Sequence, residues 1–170
     1  MSTGREVPGV VVRSAERQDL AALGRLGALL MQTHFAFDRD RFLEPGRDAA
    51  EGYAWFLGTQ LDEPGSVVLV AEDTEQIVGY VYASIEPRSW KELRDECGYI
   101  HDVVVDETAR GRGIASALLE AAAGWLFDRH VPRIVLLTAF PNLGAQRLFA
   151  RLGFRPTMIE MTRERGERRP

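Results

Sequence analysis

The chain has 170 residues, 45% of them hydrophobic, and a formal net charge of −4. This length and composition predict one domain with an ordinary core, and the mildly acidic balance gives no reason to expect a nucleic-acid partner. The single cysteine, Cys97, excludes an intrachain disulfide and is expected to be a small buried side chain. Because we find neither an apolar run long enough for a bilayer nor a signal-peptide core, we expect a cytoplasmic protein without a membrane partner.

Hydrophobic periodicity predicts elements in the order β-α-α-β-β-β-α-β-α-β. The predicted strands are 10–13, 66–71, 77–85, 99–105, 133–139 and 154–163, and the predicted helices are 17–33, 48–61, 113–127 and 143–151. Ser14 is the expected N-cap of the first helix. We expect one domain over residues 9–163, with flexible tails at 1–8 and 164–170.

The spacing of these elements indicates a single-domain α/β (α+β) fold. Consecutive strands in the first half favour antiparallel pairing, whereas the strand–helix–strand unit over residues 99–139 favours a parallel crossover. The sequence therefore predicts a mixed, mostly antiparallel central sheet.

A glycine-rich basic loop joins the strand 99–105 to the helix that follows it. The first turn of that helix carries no acidic residue, and its N–H groups are free donors. Gly111 and Gly113 let an anion approach this backbone closely, and Arg110 and Arg112 add positive charge. The loop through Ser116 is therefore predicted to hold a phosphate group.

A Rossmann dinucleotide site is the main alternative for this loop. A five-residue turn separates the strand from the first glycine, however, and Ser116 occupies the third glycine position. A P-loop nucleotide-binding site is not expected, because no Gly-x-x-x-x-Gly-Lys-Ser/Thr sequence occurs.

From Arg110 to Ala115 the pattern Arg-x-x-Gly-x-Ala resembles the acetyl-CoA pyrophosphate signature of the GNAT acetyltransferase superfamily, Gln/Arg-x-x-Gly-x-Gly/Ala. The block from Asn142 to Phe154 is similar to the family's Asn-x-x-Ala-x-x-x-Tyr segment followed by Gly-Phe, with Phe149 at the tyrosine position. The resemblance covers roughly residues 10–161. It implies the mixed α/β fold of that family and acetyl-CoA as the co-substrate.

The resemblance also implies which residues contact acetyl-CoA. In the family, the pantetheine arm pairs with the strand backbone before the loop, and a strand amide, here most simply that of Val103, stabilises the thioester oxyanion. Asn142 would contact the pantetheine arm, although a plain helix N-cap is the alternative. The expected cofactor-binding residues are Val103, Val104, Val105, Arg110, Gly111, Arg112, Gly113, Ile114, Ala115, Ser116, Asn142 and Phe149.

Phe149 departs from the family pattern, because phenylalanine cannot protonate the departing thiolate as tyrosine can. Water or Tyr99 could substitute, and a thiol with a pKa near ~8.5 barely needs an acid. Phe149 would then only pack against the cofactor. Metal-ligand spacing is lacking among one cysteine and three scattered histidines, so no metal is expected.

His101 and Asp102 lie midway along an otherwise apolar strand, where polar side chains are costly unless satisfied. Strand alternation predicts that one faces the substrate cleft and the other the opposite layer. The segment resembles the strand of polyamine acetyltransferases that carries an adjacent Glu-Asp pair. We therefore predict that His101 is the base and that Asp102 orients or binds the amine; the alternative is a pair of buried structural polar residues.

The segment between the first two helices usually shapes acceptor choice in the family. Here it combines aromatic and acidic residues, which suit a cationic amine with an apolar body, although an ordinary surface loop is equally compatible. The expected substrate-binding residues are His34, Phe37 and Asp38. The excursion over residues 88–96 could close over the same cleft.

The sequence thus predicts an N-acetyltransferase that moves the acetyl group of acetyl-CoA to a small-molecule primary amine by direct attack in a ternary complex. A polyamine, an aminoglycoside or an amino-acid derivative would fit. An enzyme acting on proteins or peptides is one alternative, and a non-catalytic regulatory domain that senses acetyl-CoA is another. A homodimer is left open.

Overall fold

The computed structural model describes residues 7–166 and arranges them around one five-stranded sheet. The strands are β1 (Val10–Ser14), β2 (Ser66–Asp73), β3 (Gln76–Glu86), β4 (Cys97–Val105) and β5 (Ile134–Leu136). The α-helices are α1 (Leu20–Phe37), α2 (Ala49–Gln60), α3 (Ile114–Phe127) and α4 (Leu143–Arg151). Short 3-10 helices at Arg17–Asp19 and Glu107–Ala109 lie before α1 and α3. Of the two predicted tails, residues 1–6 and 167–170 lie outside the described part of the chain.

The strands lie in the sheet in chain order, from β1 to β5. The first three pairings are antiparallel, and β4 pairs with β5 in parallel. The connection from β2 to β3 is a two-residue hairpin in which Thr74 and Glu75 both have positive φ, as a type I′ turn requires. The mixed, mostly antiparallel sheet expected from the sequence is therefore confirmed.

Two apolar layers cover the two faces of the sheet. On one face, here called the α3 face, buried residues of α3 such as Leu118 and Leu126 pack against Val81 and Ile100. On the other, the α1/α2 face, Leu26 of α1 and Leu57 of α2 pack with residues that include Val68, Val70, Tyr80 and Tyr82. This division decides on which side each strand residue near the centre of β4 lies.

Helices α1 and α2 pack closely because two glycines of α1 face α2. A Cβ atom at Gly24 would lie 2.2 Å from the carbonyl oxygen of Ala50, and one at Gly27 would lie 2.1 Å from the ring of Tyr53. Real Cβ atoms do not tolerate such distances, so any larger residue at either position would push the helices apart. The two glycines thereby set how near α2 lies to α1.

The strand predicted at 154–163 is wrong. After α4 the described chain forms no strand, and all its side chains from Arg155 onward are exposed. The apolar residues there, Met158, Ile159 and Met161, do not alternate regularly with polar ones, so no single face could be buried in a sheet. An ion pair between Arg41 and Glu160 connects this segment to the loop after α1.

The N-cap predicted at Ser14 is also wrong, because β1 extends through Ser14. The backbone N–H of Glu16 donates instead to the carboxylate of Asp19 over 2.8 Å, at the start of the 3-10 turn before α1. Among the helices of residues 7–166, none is long and apolar enough to cross a membrane.

Candidate active site

A β-bulge interrupts the pairing of β4 with β3 at His101. Tyr82 pairs with Asp102 and Ala83 with Ile100, so one step along β3 matches two steps along β4. An extra residue of this kind bends its strand and redirects the side chains around it. The bulge therefore changes the direction of the side chains in the middle of β4.

The bulge brings His101 and Asp102 to the same face of the sheet. The imidazole of His101 stacks on Tyr82, and the carboxylate of Asp102 accepts a hydrogen bond from Tyr80 over 3.1 Å. Both tyrosines belong to the α1/α2 face. The expectation that the pair points to opposite layers is therefore wrong, because the bulge breaks the strand alternation on which it relied.

The ring of His101 lies between two tyrosine rings. Its centroid is 4.6 Å from that of Tyr82 and 4.6 Å from that of Tyr99, and both pairs are close to parallel. Its Nε2 atom lies 2.7 Å from Ser84 Oγ and 3.4 Å from a carboxylate oxygen of Glu86. Burial lowers the pKa of His101 below its ordinary value, although the carboxylate of Glu86 opposes that shift. The imidazole is thus held neutral at physiological pH, the form that accepts a proton.

Asp102 lies deeper, below two hydroxyl groups. Its Oδ2 atom accepts hydrogen bonds from Tyr80 over 3.1 Å and from Tyr53 of α2 over 3.2 Å. Burial raises the pKa of Asp102 above its ordinary value, and the two tyrosine hydroxyls and the nearby His34 oppose that shift. These hydrogen bonds satisfy the carboxylate in part. Asp102 therefore has the contacts of a buried structural residue, and its role toward an amine stays a prediction.

The three predicted acceptor residues occupy the C-terminal end of α1. The ring of His34 packs edge-on against Phe37 at 6.1 Å and Phe42 at 5.0 Å, and its Nδ1–H donates to the carbonyl of Leu30. His34 lies near enough to Asp102 to affect the pKa of that carboxyl. Asp38 is exposed and accepts the backbone N–H groups of the next turn. Of the three, His34 is therefore the one that the structure brings next to Asp102 of β4.

Beyond the bulge, one edge of β4 has no neighbouring strand. The parallel pairing with β5 ends at Ile100, which pairs with Leu136. Val103, Val104 and Val105 pair only with β3 among the strands of the described chain. Their side chains fill both apolar layers while main-chain groups on the other edge remain available. An extended ligand with amide groups could pair there as a further strand would.

The glycine loop presents a row of free amides. Gly111 and Gly113 adopt φ angles of 80° and 88°, and Gly113 is the N-cap of α3. Within residues 7–166, the N–H groups from Gly111 to Ser116 donate to no protein acceptor, and the first donation into α3 is from Ala117 to Gly113. Such a turn of amides at a helix N-terminus binds phosphate oxygens. The loop thus fits the pyrophosphate of acetyl-CoA.

Both arginines of the loop bind neighbouring residues of the protein. Arg112 pairs with Asp73 over 2.5 Å, and Arg110 donates to the carbonyl of Val105 over 3.2 Å. Both side chains remain substantially exposed. Because Arg112 is paired with Asp73 and Arg110 lies 3.7 Å from a carboxylate oxygen of Glu107, the amides are the groups of the loop that remain free for an anion.

The two downstream positions have clear structural roles. Asn142 caps α4, because its side-chain oxygen accepts the N–H of Ala145 over 3.1 Å. Phe149 is buried on the α3 face and packs edge-on against Phe154 at 6.1 Å. The N-cap interpretation of Asn142 therefore holds, and its contact with a cofactor stays a prediction.

A cleft of about 500 Å³ opens beside His101, bounded by the end of β3 and the connection to β4. Both arginines that line it are paired within that connection, Arg94 with Glu92 over 2.9 Å and Arg88 with Asp95 over 2.7 Å. Glu86, by contrast, has no arginine or lysine partner among the described residues. The cleft therefore offers a cationic ligand one carboxylate that is not already neutralised.

Four residues around the pair were missed from the sequence. Tyr53 and Tyr80 donate to Asp102, while Ser84 and Glu86 contact His101. Ser84 and Glu86 interrupt the apolar run of β3 with polar residues at a spacing of two, which places them on one face and was a usable signal. Nothing in the spacing of Tyr53 pointed to Asp102. Within residues 7–166, no three side chains of the His, Cys, Asp and Glu types converge as metal ligands would.

The model of the acetyltransferase (GNAT) family matches residues 29–154, well over half of the chain. The chain belongs to the GNAT acetyltransferase family. Its membership confirms the predicted class, acetyl-CoA-dependent acyltransferases, and acetyl-CoA as the co-substrate of that class.

Two curated relatives match the chain in part. It is 36% identical to human N-acetyltransferase 8B over 97 residues, which is 57% of this chain and 42% of that protein. It is 30% identical to mycothiol acetyltransferase of Amycolatopsis mediterranei over 107 residues, 62% of this chain and 33% of that protein. The chain thus spans less than half the length of these relatives.

Solved structures match it over nearly its whole length. A mutant of the BH1408 protein of Bacillus halodurans has a TM-score of 0.76 at 26% identity, over 91% of this chain and 98% of that one. A protein described as a predicted acetyltransferase from Clostridium acetobutylicum, solved with acetyl-CoA, has a TM-score of 0.69 at 20% identity, over 90% and 96% of the two chains. The predicted GNAT-like fold is confirmed.

Proposed function

We propose that this protein transfers the acetyl group of acetyl-CoA to the primary amine of a small molecule, by direct attack within a ternary complex. The observation that carries the proposal is the bulge at His101. It puts an imidazole and the carboxylate of Asp102 on one face, next to the unpaired edge of β4. A base, an anion for the amine and a backbone for the cofactor are thereby adjacent along one strand.

The cofactor half of the site would consist mainly of main-chain groups. The free edge of β4 from Val103 to Val105 suits the amide-bearing pantetheine arm, and the amides from Gly111 to Ser116 suit the pyrophosphate. The N–H of Val103 is the expected donor to the thioester oxygen as negative charge develops there. In this proposal the side chains of Asn142 and Phe149 also contact the cofactor. Neither of them takes part in proton transfer.

The acceptor half would supply the proton transfer. An alkyl amine with a pKa near ~10 is mostly protonated at pH 7 and must lose a proton before it attacks. His101 is neutral there because burial lowers its pKa, so it can take that proton. The amine nitrogen then bonds to the acetyl carbon, the C–S bond breaks, and CoA leaves as a thiolate. A thiol with a pKa near ~8.5 is a good enough leaving group that the missing hydroxyl at Phe149 costs little.

A small cationic acceptor is favoured by the size and charge of the cleft. Its volume of about 500 Å³ lies within the usual range for small-molecule sites. Glu86 and Tyr99 line the cleft and supply negative charge and apolar surface. Asp102 lies next to His101 on the same face, and His34, which packs against Phe37, lies near that carboxylate. One relative, mycothiol acetyltransferase, is also named for a small molecule.

The test is thiol release from acetyl-CoA across polyamines, aminoglycosides, amino acids and short peptides. Wild type is compared with His101→Ala and Asp102→Asn, and acetyl-CoA binding of each is measured by calorimetry. General-base catalysis contributes about 10²- to 10⁴-fold, so His101→Ala should lose at least that lower factor while binding acetyl-CoA normally.

The alternatives correspond to distinct outcomes of the same test. Turnover confined to peptides would favour an enzyme acting on proteins. Tight acetyl-CoA binding without turnover on any amine would favour a regulatory domain that senses acetyl-CoA. Light scattering on the same preparation measures whether the chain forms the homodimer that the sequence left open.

A further inference from the structure

A chain of hydrogen bonds links His101 to Glu86 through one hydroxyl. Ser84 Oγ lies 2.7 Å from a carboxylate oxygen of Glu86 and 2.7 Å from Nε2 of His101. Ser84 is buried, with 6% of its surface exposed. The hydroxyl is therefore removed from bulk water, and these two contacts decide where its proton lies.

The proton positions follow from counting donors. A serine hydroxyl has one proton and can donate once, and a carboxylate can only accept. Ser84 must therefore donate to Glu86, which leaves its oxygen as an acceptor toward Nε2. A contact of 2.7 Å between that oxygen and Nε2 then requires a proton on Nε2. In a neutral imidazole with Nε2–H, Nδ1 carries the lone pair.

The second ring nitrogen has no competing partner. Nδ1 of His101 forms no hydrogen bond with any residue in the described part of the chain, and 29% of the side chain is exposed. The rings of Tyr82 and Tyr99 cover both faces of the imidazole, so ligands can approach it only along its edge. Nδ1 is therefore the nitrogen available to a ligand in the cleft.

We propose that Ser84 and Glu86 are positioning residues that hold His101 in its Nε2–H form, so that Nδ1 takes the proton of the acceptor amine. The inference rests on the proposed acetyl transfer. In the transfer step a proton passes from the amine nitrogen to Nδ1, Ser84 keeps its proton and Glu86 keeps its charge. The imidazolium that forms is stabilised by Glu86 through Ser84, and it later gives the proton to water or to the thiolate.

The kinetic test uses Ser84→Ala, Ser84→Thr and Glu86→Gln. Without the hydroxyl, in Ser84→Ala, His101 is no longer held in its Nε2–H form and both neutral tautomers are populated. The kcat should therefore fall about 10- to 100-fold, with little change in KM for the amine. Ser84→Thr keeps a hydroxyl and should recover most of the loss. Ser66→Ala is the matched control: Ser66 lies on the neighbouring strand β2, its hydroxyl donates to Gln60 of α2 and not to His101, and its loss should leave kcat unchanged.

The pH profile separates positioning from substrate binding. The carboxylate of Glu86 raises the pKa of His101 against the effect of burial. Glu86→Gln should therefore move the acid limb of kcat to lower pH, and any lost attraction for a cationic amine should appear separately as a higher KM. An unmoved limb, whether or not KM rises, would mean that Glu86 does not act through His101, and would overturn the proposal.

A spectroscopic test does not depend on turnover. Nitrogen-15 NMR of labelled histidines distinguishes a protonated from a bare ring nitrogen, and His101→Asn identifies the signals among three histidines. Wild type should show Nε2–H and a bare Nδ1, and Ser84→Ala should show both tautomers. A protonated Nδ1 in neutral wild type would overturn the inference. Absence of turnover on every amine would instead contradict the proposed function, while the spectrum would still decide the tautomer.

Discussion

Gly27 of α1 lies directly against the ring of Tyr53 in α2. A Cβ atom at Gly27 would fall 2.1 Å from Tyr53 Cδ1 and 2.8 Å from its Cβ. Tyr53 in turn donates its hydroxyl to Asp102 over 3.2 Å. A position with no side chain in one helix therefore fixes a hydrogen bond on the strand of the candidate active site.

Gly27→Ala should lower both stability and activity. The methyl group cannot fit unless the Tyr53 ring moves, and overpacking of this kind costs about 1–3 kcal/mol. The moved ring would no longer hold Asp102, so kcat/KM for the amine should fall as well. Gly52→Ala is the matched control: Gly52 is exposed on the outer side of α2 with no atom near its added Cβ, and alanine there should stabilise the helix by about 0.8–1 kcal/mol. Both variants are tested by thermal unfolding and by amine kinetics. Equal changes in melting temperature and in kcat/KM for Gly27→Ala and Gly52→Ala would contradict the role assigned to Gly27.

Asp102→Asn should keep or increase stability while it weakens amine binding. Burial raises the pKa of Asp102, so keeping it ionised costs free energy of folding above that pKa. The amide oxygen can still accept from both tyrosines, and the charge that attracts the amine is lost. The KM for the amine should therefore rise.

The pH dependence of stability checks the cause in that variant. Because the folded pKa of Asp102 is raised, wild type should gain stability relative to Asp102→Asn as the pH falls through it. The difference in melting temperature should be largest near neutral pH and shrink toward pH 4. A variant that is less stable at every pH would show that the carboxylate is needed structurally.

Activity of the wild type should fall at acid pH with the protonation of His101. Burial places the pKa of His101 below that of an ordinary histidine, so the neutral base persists to lower pH than for an exposed histidine. The profile of kcat/KM corrected for amine ionisation should be flat above that value and fall about tenfold per pH unit below it. The limb should vanish in His101→Ala, whose residual rate comes from positioning alone. A limb that survives in that variant would assign the titration to another group.

Gly113→Ala should weaken acetyl-CoA binding without a steric clash. Gly113 has a φ of 88°, and the nearest atom to an added Cβ is 3.9 Å away. Left-handed backbone costs an L-residue about 1–2 kcal/mol, so the loop should relax away from its binding shape. Calorimetry should show a Kd raised about tenfold. Gly65→Ala is the control, because its Cβ meets nothing and its φ is not in that region.

The sequence predicted the helices well because their apolar faces repeat over many residues. It predicted the glycine loop because the backbone at Gly111 and Gly113 has positive φ, which favours glycine. A requirement of this kind is local and can be recognised in one short segment of sequence. The orientation of His101 could not be predicted in this way. A bulge is a property of the register between β4 and β3, and neither strand records it alone.

The contacts of Asp102 were unpredictable for a related reason. Tyr53 and Tyr80 come from a helix and a strand that meet only after the sheet and helices have packed. The strand predicted at 154–163 failed because composition suggested β structure while no regular alternation supported a buried face. Local patterns therefore gave the elements, and long-range packing decided the site.

The unpaired edge of β4 has an evolutionary consequence. If the cofactor is held mainly by the backbone of Val103 to Val105 and by the loop amides, most side-chain replacements leave those groups in place. The acceptor cleft, by contrast, is formed by side chains such as Glu86 and Tyr99, which a single codon change can replace. Lineages descended from such a chain could exchange one nitrogen-bearing acceptor for another while the acyl donor stays the same.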